Sequence, residues 1–173
     1  GQIESHDADG FTVGNNSGTG NVNGSGDSVV AWNWKAGGTA VSNTDGSITS
    51  QVSVNTAAGF SIVTYTGTGA SSATIGHGLG AVPKVLIVKN RSEAYNWKVY
   101  HEGNTSAPET DYLVLDTTDA TVDNVTHWND TAPTSSVFSI GNSNALIKSA
   151  NNFVAYVFAE IEGYSKFGSY IGN

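Results

Sequence analysis

The 173-residue chain contains no cysteine and no methionine. Without thiols it has no disulfide framework and no thiolate metal site, and the redox compartment stays open. Basic residues are scarce: 7 Lys plus Arg stand against 15 Asp plus Glu, a formal net charge of -8 at pH 7. Such a surface cannot neutralise a phosphate backbone or hold an anionic leaflet, so nucleic acid and membrane insertion are both excluded as expectations. No apolar run reaches the roughly 18 residues that span a bilayer as a helix, and the N-terminus lacks a basic stretch followed by an apolar one. Glu, Lys, Leu and Ala never gather into the runs that build helices.

What fills the chain instead is glycine, 21 residues of it, among Ser, Thr and Asn, with short β-branched and aromatic segments between. That composition predicts short strands joined by tight turns. A chain of this length is enough for one domain with a full core. The expected fold is all-β, an antiparallel β-sandwich of jelly-roll or lectin-like type with a β-hairpin arm.

The organising stretch is Gly59 to Asn90. Phe60 to Tyr65 reads as a strand running into a glycine turn. Val85 to Val88 is an unbroken apolar run too short for a helix, which predicts a strand buried on both faces. Between them Gly76, Gly78 and Gly80 are expected at positive φ, with His77 as a turn residue whose imidazole ties down backbone groups. Asp45-Gly46 is a hairpin signal between Thr39–Ser42 and Ile48–Val54. Further strands are expected at Phe11–Gly14, Ser28–Lys35, Tyr95–Tyr100, Asp111–Asp116 and Phe153–Ile161, and a long glycine-rich loop at Asn15–Asp27.

Two phrases recur. Phe11-Thr12-Val13-Gly14-Asn15 matches Phe138-Ser139-Ile140-Gly141-Asn142, and Val29 to Ala36 matches Phe153 to Glu160. More weakly, Gly59 to Gly67 echoes Gly163 to Asn173. The shared order of elements implies real repetition. Within a single module at 1–173, residues 1–38 then resemble the closing hairpin of a preceding repeat, and 39–58 form a hairpin arm or linker. Residues 59–162 make the main unit and 163–173 open a following one. The absent initiator Met and the mid-pattern ends suggest an excised or processed piece of something longer.

Taken together, Asp9–Gly14, Val30–Gly37, Gly59–Gly67, Gly76–Asn90 and Val154–Asn173 resemble a domain of unassigned chemistry. That domain occurs in tail-fibre-like and other virion proteins of marine bacteriophages, often beside concanavalin-like lectin modules. The resemblance implies a virion or extracellular location and a structural or adhesin role. Self-association, other virion proteins or a host-surface glycan are the partners it implies. It brings no catalytic motif.

Chemistry is thinly represented. Gly-x-Ser-x-Gly is absent, and His6, His77, His101 and His127 form no close pair, so neither acyl transfer nor zinc is expected. Asp7-Ala8-Asp9-Gly10 begins like a calcium loop but lacks the later ligands, and a solvated turn is favoured. Glu93, Glu102, Glu109, Asp111 and Asp116 could serve a polysaccharide depolymerase, although solvated carboxylates are the commoner finding. No cofactor or metal is expected. Binding is the better reading: Tyr95-Asn96-Trp97 and His127-Trp128-Asn129-Asp130 combine aromatic faces with amides and a carboxylate, as sugar sites do. The competing reading makes both tryptophans plain core packing.

Overall fold

A computed structural model describes residues 3–14 and 22–172; most of the Asn15–Asp27 loop lies outside them. The chain divides into two compact units, Gly1–Trp34 and Lys35–Asn173.

The first unit holds β1 (Ile3–His6) and β2 (Phe11–Val13), paired antiparallel. Asp7 turns the ribbon: its carboxylate accepts from Ser5 Oγ and Thr12 Oγ1, both at 2.9 Å, and its N–H donates to the Gly10 carbonyl. The hydroxyls thus occupy the carboxylate in the turn. Ser28–Lys35, expected as a strand, belongs to no strand among the described residues. The alternating pattern is present, but a strand also needs a neighbour to take its backbone groups.

The second unit is built on one large antiparallel sheet. Its strands are β3 (Val41–Asn43), β4 (Ser50–Asn55), β5 (Phe60–Thr66), then β6 (Ser72–Gly76) outside it, and β7 (Val85–Asn90). They continue with β8 (Lys98–His101), β9 (Asp111–Val114), β10 (Val122–Asp123), β11 (Val137–Gly141) outside it, and β12 (Asn152–Phe158). The eight sheet strands lie in the order β10-β9-β8-β7-β12-β5-β4-β3, and β6 pairs with β11 in a separate ribbon. The Asp45-Gly46 hairpin forms the β3 edge, where Asn43 Oδ1 accepts from the Asp45 N–H at 2.9 Å.

β12 is the central strand. It is hydrogen-bonded along its length to β5 on one side and β7 on the other. Its apolar run is unbroken because even the half-open face is largely covered: Val154 and Phe158 are buried there and Tyr156 is half-buried. The first face carries Phe153, Ala155 and Val157, beside Val63 and Tyr65 of β5 and Leu86 and Val88 of β7. The β6–β11 ribbon closes over them with Ile75, Phe138 and Ile140, and α1 (Asn144–Ile147) adds Leu146 and Ile147. Tyr65 Oη reaches across to the Leu146 carbonyl at 2.8 Å. This face and the ribbon are the two layers of the expected sandwich.

His77 ties the ribbon side to the sheet. Fully buried, it accepts at Nδ1 from the Leu79 N–H (3.2 Å), which leaves Nε2–H to donate to the Thr134 carbonyl at 3.1 Å. Its own carbonyl accepts from Ser61 Oγ at 2.8 Å. Burial lowers its pKa, which holds it neutral as this tautomer requires. Gly78 and Gly80 take φ of 71° as expected. Gly76 does not; it is glycine because a Cβ there would lie 1.7 Å from Asn43 Oδ1.

Candidate functional site

The two stretches expected to bind ligand lie on opposite faces of the large sheet. Trp128 belongs to the first-face core, 1% exposed, edge-to-face with Tyr100 at 6.0 Å, with Nε1 donating to the Asp111 carbonyl at 2.9 Å. Its ring offers no free surface for a sugar. His127 is buried beside it, stacked 3.6 Å from Tyr112, whose other neighbour is Lys98 Nζ at 4.4 Å from the ring centroid. Burial, with a smaller contribution from Lys98, pushes the His127 pKa down to about 4. Its Nε2 has no hydrogen-bond partner among the described residues. Asn129 and Asp130 follow at φ of 56° and 45°, two successive left-handed residues of a turn, one half-buried and one exposed.

Trp97 is placed differently. It precedes β8 rather than lying within it, because Asp116 Oδ1 takes its N–H at 3.1 Å while its carbonyl accepts from Leu115. Tyr95 and Asn96 lie just before it, half-buried and exposed respectively, and the Tyr95 carbonyl accepts from Lys89 Nζ. Trp97 shares parity with Val99, so it falls on the second face. There it stacks on Tyr156, 6.4 Å between centroids and 18° from parallel, with Lys89 Nζ 5.6 Å from its centroid.

Register places the rest of this face in rows. One row runs Ser53, Ile62, Tyr156, Ile87, Val99 and Leu113 across six strands. All of it is half-buried except Val99, which is buried. On one side of the row, Phe60 and Phe158 form a tighter patch covered by Ala36, Ala58 and Phe167. On the other side the face turns polar: Gln51, Thr64, Val154 and Lys89 form the next row, then Thr66 and Asn152, with the Arg91 N–H on the Asn152 carbonyl at 2.8 Å. A groove of about 260 Å³ opens among Thr49, Gln51, Thr64, Thr66, Arg91 and Asn152.

This half-open face has the elements of a ligand site: a stacked aromatic pair, side-chain amides and hydroxyls, and two cations. The chain's one arginine, Arg91, and its neighbour Lys89 have no carboxylate partner among the described residues. Lys84 and Lys148, in contrast, are paired with Glu102 at 2.5 Å and Glu93 at 2.6 Å. Gln51, Thr64, Tyr156 and Asn152 are unremarkable in sequence; only register puts them together. Period-two alternation could have placed each on one side of its own strand, but not beside the others.

The profile of a domain of unknown function, DUF7483, matches residues 1–173. The chain belongs to that family. No curated protein and no solved structure matches it.

Among the described residues no three His, Asp or Glu side chains cluster as a metal site would need. Of the five carboxylates named for hydrolysis, four have partners of their own, and Glu109 has no ion pair or side-chain hydrogen bond among the described residues. Glu93 and Glu102 are paired with lysines, Asp111 accepts from Thr105 Oγ1, and Asp116 holds the Trp97 backbone. Lys148 holds the Glu93 pKa below the ordinary value, the reverse of what a general acid needs.

Proposed function

We propose that this chain is a non-enzymatic module of a bacteriophage virion protein, of the tail-fibre or surface-decoration kind, whose second sheet face attaches the particle to host-surface carbohydrate. The virion context rests on the resemblance carried by the Gly59–Gly67, Gly76–Asn90 and Val154–Asn173 phrases. The attachment role rests on one observation, the Trp97–Tyr156 stack beside a groove of amides and hydroxyls on an otherwise regular sheet. An aromatic platform covers the apolar face of a sugar ring while amides and hydroxyls satisfy its rim. Lys89 and Arg91, unpaired with acid in a chain of net charge -8, favour saccharides bearing carboxylate or sulfate groups.

Calorimetric titration with neutral and acidic bacterial polysaccharides tests this. Trp97→Ala should weaken binding about 30-fold, since truncating a central aromatic typically removes about 2 kcal/mol. Arg91→Gln should weaken binding of acidic polymers only. No heat from any polymer, or equal binding by Trp97→Ala, overturns the attachment reading. Release of reducing ends would favour a depolymerase in its place.

A further inference from the structure

The second face of the large sheet carries two clusters of binding groups, and β12 fixes the spacing between them. At one, Tyr156 stacks with Trp97. At the other, Asn152 of the same strand lines the groove of about 260 Å³ together with Thr66 and Arg91. Tyr156 and Asn152 share parity on β12 and so face the same side. Four positions separate them, which at roughly 3.3 Å per residue is about 13 Å. Val154, buried and apolar, is the floor between them, flanked by Thr64 and Lys89. In the other direction the strand runs to Phe158, against which Ala36, Ala58 and Phe167 pack. The open direction along β12 therefore leads from the stack toward Asn152.

The two cations beside this path are not equivalent. Lys89 donates to the Tyr95 carbonyl and lies 5.6 Å from the Trp97 ring centroid, so its ammonium holds the aromatic cluster in place. Arg91 is exposed and lines the groove, with no ion pair or side-chain hydrogen bond among the described residues. A guanidinium so placed can take a carboxylate or sulfate through two parallel N–H donors. Its distance from the stack then matters. A six-membered ring of roughly 1.5 Å bonds, with its linking oxygen, advances a polymer by about 5 Å. One ring cannot touch both clusters, whereas about three in a row can.

Resting on the carbohydrate reading above, the geometry points to a two-point site that selects for length. One sugar ring covers the Trp97–Tyr156 pair, and an acidic group about two or three sugars further along pairs with Arg91. The ligand class is an extended acidic oligosaccharide segment, as distinct from a single charged sugar or a neutral chain. Each exposed contact is weak alone; joined by a ligand of the right span, the second forms at high effective concentration. Lys89 is a positioning residue for the first contact, and Arg91 is the specificity-determining residue of the second.

Calorimetric titration of the full chain with oligogalacturonates and sulfated dextran oligomers, from monosaccharide to hexamer, tests this beside neutral dextran oligomers of the same lengths. Acidic oligomers should gain about tenfold in affinity between dimer and tetramer, the worth of one hydrogen-bonded charge, and little beyond. Neutral oligomers should show no such step. Arg91→Gln should remove the step and leave the dimer unchanged. Lys89→Gln should weaken dimer and tetramer alike and keep the step. A charged monosaccharide that binds as tightly as the hexamer, or a step that survives in Arg91→Gln, overturns the two-point site and leaves the attachment reading standing. No binding by any oligomer also overturns it; absence of heat from the bacterial polysaccharides as well takes the attachment reading with it.

Discussion

The two faces of the large sheet are made from the same strands, residue by alternate residue, yet only one is sealed. On the first face Val63, Val88, Phe153, Ala155 and Val157 are all fully buried beneath the ribbon. On the second, Ile62, Ile87 and Tyr156 are half-buried, and the neighbouring row is Gln51, Thr64 and Lys89. The first face therefore carries stability and the second is free to carry recognition. A sheet open on one side is the ordinary condition of antiparallel architecture. What sets this one apart is that the open side gathers aromatic and basic groups rather than scattered polar ones.

The largest expected effect breaks the sealed side. Phe153→Ala removes a fully buried ring that stacks on Tyr65 at 5.1 Å. It should cost about 3–5 kcal/mol of unfolding free energy in denaturant titration. Ile87→Ala, a neighbour on the half-open side, should cost clearly less, because part of its surface is already in water. Equal losses would mean that the second face is covered in solution.

Next is a pH effect on the sealed side. The His127 pKa is lowered from 6.5 to about 4 when folded. The unfolded chain thus binds the extra proton first as pH falls. Stability from this group is fully present above about 6.5 and is lost progressively down to about 4, roughly 3 kcal/mol in all at about 1.4 kcal/mol per pH unit. His127→Phe keeps the stack on Tyr112 and should flatten that limb of the stability profile. A variant with the wild-type slope between pH 6.5 and 4 would show that other groups carry it.

The sealed side was also the legible one. Val85–Val88 and Phe153–Phe158 are unbroken apolar runs, and both became strands, buried on the first face and partly covered on the second, where Ile87 and Tyr156 stay half-buried. The hairpin at Asp45-Gly46 and the turn glycines at 78 and 80 were legible from local chemistry alone. The candidate face was not. Trp97 and Trp128 sit in similar polar surroundings in sequence, yet Trp128 fills the core while Trp97 lies on the open face. Which of the two stays accessible is decided by whether a buried carbonyl, here that of Asp111, waits for the indole N–H. That is a tertiary fact with no local signature. Ser28–Lys35 shows the same limit in reverse: its pattern is that of a strand, and pattern alone supplies no neighbour.

The finest test uses two adjacent residues. Val63 points into the core and is fully buried; Thr64 points to the open face and is half-buried, with no side-chain hydrogen bond among the described residues. Val63→Thr keeps the shape but puts a hydroxyl where no partner is available. It should cost about 1–3 kcal/mol, the penalty of an unsatisfied buried polar group. Thr64→Val makes the opposite exchange one position along. It should change stability by no more than about 0.5 kcal/mol, while removing a hydroxyl from the groove and weakening saccharide binding. Since the two substitutions exchange the same pair of atoms, their difference reports the contrast between the faces with side-chain size held constant. If Thr64→Val were as costly as Val63→Thr, the second face would be a closed interface, and the carbohydrate reading would lose its site.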